Sequence, residues 1–390
     1  MSRSVSAERE RVIPTAPDAG SLVAGPVMAA ALGATSIVLG LLWDISWHRS
    51  IGRDTFWTPA HMAIYLGGLV AGLAAAALVL RASFGPPGAA ASAVSVGPFR
   101  GPLGAWLMIW GAVAMLASAP FDDWWHKAYG LDVKIVSPPH AVLAAGMFGI
   151  VAGAMLLAVS VQNRSGIEGA SGWRLLHLYA SGVLLTLAAA FTLEYTFPLH
   201  QHSGLFYEVA AAIFPFFLLA GAISGRGRFP ATLAALVYMG LMAAMDWILP
   251  LFPAEPRLAP IFNPITRMVP FSFPLLLVFP ALAMDLVLAR WGREKDGRLA
   301  VALGLVFLGV FLLVQWPFAS FQMTPLSRNW FFVGDRYWSY WFHPGSAGRY
   351  TFSVQPERLG AAGLFVAAAL AVASTRAGLG LGRALSRVRR

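Results

Sequence analysis

Two short stretches of this chain place carboxylates and imidazoles at spacings suited to holding a metal ion. The first reads Trp43-Asp44-Ile45-Ser46-Trp47-His48-Arg49, followed by Gly52, Asp54 and Thr58-Pro59-Ala60-His61. The second reads Phe121-Asp122-Asp123-Trp124-Trp125-His126-Lys127, followed by Gly130, Asp132 and Ser137-Pro138-Pro139-His140. Asp44 and His48 are four residues apart, as are Asp122 and His126, so each pair shares one face of a helix. Thr58 and Ser137 have the form of N-caps followed by a first-turn proline, which puts His61 and His140 at the start of the next helix. A short connection between antiparallel helices then lets one Asp and two His converge, a donor set for a divalent ion. The bland alternative is a set of capping and ion-pairing residues at helix ends. The recurrence of the whole frame about 78 residues later favours metal or proton chemistry over it.

The elements that must position these groups are membrane helices. Of the 390 residues, 58% are hydrophobic and only 12% charged, and the mean hydropathy is +0.66. A soluble domain of this size needs more charge to cover its surface, so the solvent for most of the chain is lipid. Ten apolar stretches are long enough, or nearly so, to cross a bilayer: 22–45, 59–82, 102–121, 138–161, 174–196, 204–224, 229–250, 267–289, 299–319 and 359–380. The fold expected is an all-α polytopic bundle built from repeated helical hairpins, near 22–82 and 102–161. Residues 1–21 form a polar, disordered segment, 22–380 a single transmembrane domain and 381–390 a basic tail. Interior prolines in the seventh and eighth stretches predict kinks.

Most of the 28 Lys and Arg fall on one side if both termini are cytoplasmic. The net charge of +10 then reflects topology, and no nucleic-acid partner is implied. The chain has no cysteine, which excludes disulfides, thiolate metal sites and iron–sulfur clusters. Seven of the eight histidines lie at or beyond the outer ends of the spans; His177 is the exception. In a bacterium this places the chain in the cytoplasmic membrane with the metal motifs facing the periplasm.

A further set, Glu194, His200, His202 and Glu208, lies around the third outer connection and is a candidate third metal site, or a polar interfacial loop. Met239, Met242 and Met245 offer soft contacts to Cu(I), although such a stripe is more often packing surface. Asn263-Pro264-Ile265-Thr266 keeps the capping frame before the eighth span, without the histidine. The aromatic-rich loop 320–358, with His343, is expected to lie as a lid across the outer face.

The pattern Asp-x3-His-x12-His formed by Asp44, His48 and His61 resembles the ligand motif of the C subunit of copper membrane monooxygenases, the particulate methane and ammonia monooxygenase family. The resemblance covers about eighteen residues, with Asp122, His126 and His140 as a looser copy. It implies copper as the cofactor (zinc or iron fit the same donors) and a subunit of a larger complex that oxidises small substrates with dioxygen. It also implies other membrane subunits, or a periplasmic electron or metal donor, as partners. Other classes remain open: a metal-uptake or metal-handling permease, a non-catalytic assembly subunit, or a haem protein using His48 with His126 or His61 with His140. A permease would need polar groups continuing inward through the bundle.

Overall fold

The computed structural model of the protein describes residues 21–53, 55–85, 93–129, 137–165, 170–292, 297–353 and 356–390. The expected polar segment at the N-terminus lies almost wholly outside these residues, as do Asp54 and Asp132 of the two motifs. Helices α1 (Ser21–Ser50), α2 (Pro59–Phe84), α3 (Leu103–Tyr129), α4 (Pro138–Arg164) and α5 (Ala170–Ala190) are followed by a short α6 (Leu193–Thr196). Then come α7 (Gly204–Ser224), α8 (Pro230–Ile248), α9 (Val278–Trp291), α10 (Gly297–Gln322) and α11 (Ala361–Leu385). The one departure from helix among named elements is a small antiparallel ribbon, β1 (Val94–Val96) and β2 (Phe99–Gly101). Among the described residues nine helices are long and apolar enough to cross a membrane. This is the architecture of a multi-pass membrane protein, because in hydrocarbon a helix satisfies its own backbone.

The eighth expected span, 267–289, is not one helix. Residues 268–276 run as a non-helical, mostly buried stretch, Leu277 turns, and helix begins only at Val278. Pro270 and Pro274 are the cause: each lacks an N–H, and each pushes the residue before it out of the helical region. Side chains from neighbouring helices replace the missing backbone bonds. Ser50 Oγ accepts from Val269 N at 2.7 Å, and Ser46 Oγ donates to Val269 O at 2.6 Å. The Tyr238 hydroxyl accepts from Leu275 N at 3.1 Å and Gln315 Oε1 from Leu276 N at 2.9 Å. Gln315 in turn donates to Gln201 Oε1 at 2.8 Å. Beyond this stretch, Asp285 on α9 receives Ala231 N, Thr232 N and the Thr232 hydroxyl at 2.7–3.2 Å. Asp285 therefore caps the start of α8 from across the interface, and the chain has returned to that level. The Asn263 frame caps no helix; Asn263 Nδ2 donates instead to Trp338 O at 3.2 Å.

Glycine brings the helices of each hairpin into backbone contact. A Cβ on Gly33 would stand 2.7 Å from Gly67 O, and one on Gly67 would stand 2.5 Å from Gly33 O. In the next hairpin Gly111 and Gly146 make the same reciprocal approach, at 2.6 and 2.7 Å. Small residues at such crossings are what helix association in lipid relies on, since apolar side chains gain little there from leaving the solvent. α11 packs on α7 in the same way, with Gly378 against Phe216 O. It continues to Leu385, past the expected end at 380, because Asn163 Nδ2 accommodates its last carbonyls, Leu385 O at 3.0 Å and Val388 O at 2.8 Å. α5 stops at Ala190, short of the expected 196, and the chain turns through α6 into the outer connection.

The long loop expected at the outer face begins after Gln322 and folds back onto the helix ends. Tyr337, Trp338 and Tyr340 are buried. Tyr340 O accepts from Phe262 N at 2.9 Å, and Phe331 O accepts from Trp247 Nε1 at 3.0 Å. A Cβ on Gly67 has nowhere to go but into the α1 backbone. Gly67→Val is therefore expected to destabilise the protein by about 2 kcal/mol or more, while Gly240→Ala, at a position with nothing within 4 Å of the added carbon, changes little. Thermal unfolding of the two variants in detergent checks this.

Candidate metal centre

α1 runs through the first motif to Ser50, so Asp44 and His48 project one turn apart near its C-terminal end. Thr58 caps α2, its hydroxyl accepting from His61 N at 3.3 Å, with Pro59 first in the helix. This places His61 against α1. Its Nε2 lies 3.2 Å from Asp44 Oδ1, and His48 Nε2 lies 3.8 Å from Asp44 Oδ2. His61 Nδ1 is 3.0 Å from Thr55 O. A carbonyl only accepts, so Nδ1 carries the proton, and in a neutral ring the lone pair is on Nε2, facing Asp44. Asp44 Oδ1 is out of solvent and receives no hydrogen bond. Two lone-pair atoms this close require something positive between or beside them, a proton or a cation.

The second hairpin repeats the frame more loosely. Ser137 caps α4, accepting from His140 N at 3.4 Å, and His140 Nε2 lies 3.7 Å from Asp122 Oδ1. The His126 side chain lies outside the described residues. Among the described residues no three His, Asp or Glu side chains are gathered as a group able to hold a metal ion. Each hairpin thus brings its Asp and its helix-starting His together. His48 is a half-exposed neighbour at longer range.

The third cluster does not come together as a set. Glu194 is exposed on α6, and Glu208 lies further along, one turn into α7. His200 Nδ1 bonds Ser353 O at 2.9 Å. His202 is buried and stacked between Trp316 and Phe352, with ring centroids 3.9 and 3.7 Å away. Its Nε2 donates to Trp316 O at 3.2 Å. Both histidines serve to seat the returning end of the outer loop, which also bonds through Ser353 N to Leu199 O and Leu359 N to His202 O. Met242 and Met245 are core residues, and His343 accepts from Gly345 N in a surface turn. Of the tryptophans flanking the motifs, Trp47 donates to Arg53 O at 3.0 Å and Trp124 points outward.

Two residues outside the expected ligand sets are deeply placed. Arg49, next to His48, turns inward and donates to Tyr337 O, to Pro270 O at 3.2 Å and to Ser339 Oγ at 3.4 Å. Asp246 on α8 is wholly buried. Arg and Asp at the ends of otherwise apolar spans were the available signal.

The chain matches no protein-family model, no curated protein and no solved structure.

Burial, aided by the charge of Arg358, holds the His202 pKa below the ordinary imidazole value, against the opposing hydrogen bond to Trp316 O. The unfolded chain therefore binds a proton near pH 6.5 that the folded chain refuses, and stability falls as the pH drops below about 6.5, by at most about 1.4 kcal/mol per pH unit. In His202→Phe this part of the pH dependence is expected to vanish. Unfolding midpoints at pH 8 and pH 5 for both proteins measure it.

Proposed function

We propose that this multi-pass membrane protein is a copper-binding oxidoreductase, monooxygenase-like, or the metal-bearing subunit of one. Asp44, His48 and His61 hold one ion and Asp122, His126 and His140 a second, at the outer face of the cytoplasmic membrane. The observation that carries this reading is the Asp44–His61 pair. Two donors bound to one ion at about 2.0–2.1 Å stand roughly 3.0–3.4 Å apart, and Asp44 Oδ1 and His61 Nε2 are separated by 3.2 Å. The Thr55 carbonyl fixes the ring so that Nε2 is the ligating nitrogen, the second-shell role that metal-bound histidines commonly require. His48 completes the set by a side-chain rotation from its position beside Asp44.

The duplicated frame supports a second centre of the same kind. Asp44 and Asp122, and likewise Gly33 and Gly111, are 78 residues apart; His61 and His140, and likewise Gly67 and Gly146, are 79 apart. Ligand positions and close-packing glycines share one register, as expected if a whole hairpin was copied. The preference for copper comes from the resemblance of Asp44, His48 and His61 to the copper monooxygenase motif; the His/Asp donor set accepts copper as it accepts zinc or iron. Bound copper would supply a redox-active centre able to meet dioxygen. The chain's own part is to fix the imidazoles and to keep the carboxylate out of water. Partner membrane subunits or an external electron donor would complete the reaction.

A permease is the second reading, and the discontinuous eighth span favours it. Irregular backbone at membrane depth is characteristic of transport sites, and Tyr238, Gln315 and Gln201 continue polarity inward from the outer face.

Purified protein loaded with copper and freed of excess is expected to retain two ions per chain, His61→Ala and His140→Ala one each, and the double variant none. Copper content unchanged in the double variant would remove the metal proposal.

A further inference from the structure

Asp246 lies on α8, one turn beyond Met242, with 0% of its surface exposed. Neither carboxylate oxygen receives a well-formed hydrogen bond, and the backbone donor directed at it is the Phe271 amide. For an acid within a membrane span this is an unusual state, because a carboxylate taken out of water needs either a direct counter-ion or several donors. The nearest groups that act on it are the Phe271 amide, in the extended stretch, and the Arg49 guanidinium on α1. Arg49 does not close on it. Its nitrogens are committed to Tyr337 O, Pro270 O and Ser339 Oγ, and its plane sits among the rings of Phe197 and Phe271. The outer loop and the extended stretch together hold the cation away from the acid.

The groups facing this acid are few. Arg49 comes from α1 and Tyr238 lies two turns back on α8 itself. Tyr337, from the outer loop, faces Arg49 rather than the acid. The 268–277 stretch contributes its Phe271 amide. A carboxylic acid needs no counter-ion here, and its neutral form accounts for the empty hydrogen-bonding positions. A carboxylate, in turn, gives the Arg49 guanidinium a negative charge to face. The Phe271 amide and the Arg49 charge face the carboxylate, and neither closes on it as a direct ion pair.

We propose that Asp246 is an exchangeable proton-binding site of the membrane domain, set beside the discontinuous eighth span. The ligand is a single proton drawn from water at the outer face. Its arrival converts the carboxylate to a carboxylic acid, and its departure restores the Asp246/Arg49 charge pair. No other reactant is involved, and the site shares no residue with the Asp44 and Asp122 centres. Because Arg49 also holds the backbone of the outer loop at Tyr337 and of the extended stretch at Pro270, the proton's presence changes the electrostatic load on both.

The test uses full-length protein in lipid nanodiscs, titrated while the carbonyl region is followed by infrared difference spectroscopy. The wild type is expected to show a carboxylic-acid band that grows as the pH is lowered and is missing from Asp246→Asn. In Arg49→Gln the midpoint should rise by about one pH unit or more, since removing the cation favours the neutral acid; Arg49→Lys should stay close to wild type. If Arg49→Gln does not fold, the Asp246→Asn comparison decides alone. The proposal fails if no such band forms between about pH 4 and pH 9. It fails equally if the band does not respond to pH, or if it persists unchanged in Asp246→Asn.

Discussion

Every backbone amide at membrane depth must find a partner inside the protein, and one stretch of this chain cannot find it in a helix. Residues 268–277 are broken by two prolines, and the polar side chains of the surrounding helices are placed where their orphaned groups fall. Ser46, Arg49 and Ser50 reach them from α1, Tyr238 from α8 and Gln315 from α10. These residues would each be costly in an apolar bundle. Here they are as necessary to the fold as the leucines, since removing one leaves a buried amide or carbonyl with no alternative. The constraint also explains why polarity is concentrated around this stretch and is sparse among the lipid-facing helix surfaces.

The first two hairpins obey a different rule. Their helices are held by backbone approach at glycine, which leaves no room for long side chains along the seam and fixes the relative height of the two partners. Height is what the outer motifs depend on. With α1 and α2 locked at Gly33 and Gly67, Asp44 near the end of one helix meets His61 in the first turn of the other. The second hairpin, locked at Gly111 and Gly146, sets Asp122 against His140 in the same way.

Much of this was legible beforehand. Long apolar runs located nine helices, but α3 runs on to Tyr129, past the expected end at 121, and α5 stops at Ala190, short of 196; the Thr58 and Ser137 caps with their prolines located the starts of α2 and α4. The eighth span was not legible as helix or strand, because a buried extended stretch and a buried helix have the same composition; only Pro270 and Pro274 distinguished them. Side-chain direction was the other gap. His200 and His202 sit two residues apart in a polar connection, yet one bonds the returning outer loop and the other is clamped between aromatic rings. Arg49 and Lys127 hold the same place in the two motifs. Lys127 is exposed and pairs with Asp123 at 2.5 Å, whereas Arg49 is drawn inward by three acceptors that do not exist until the distant 270 and 337–339 segments have folded onto it. Register could be read along the chain; tertiary acceptors could not.

α1 carries Asp44, His48 and Arg49 within six residues of one continuous helix. A helix at this length behaves as a rod, so a small rotation or slide that changes how Asp44 and His48 meet the outside also changes how Arg49 addresses the interior. The outer motif and the buried charge are thus two ends of one lever. Any coupling that the rod carries between the two ends is reciprocal, as thermodynamic linkage requires.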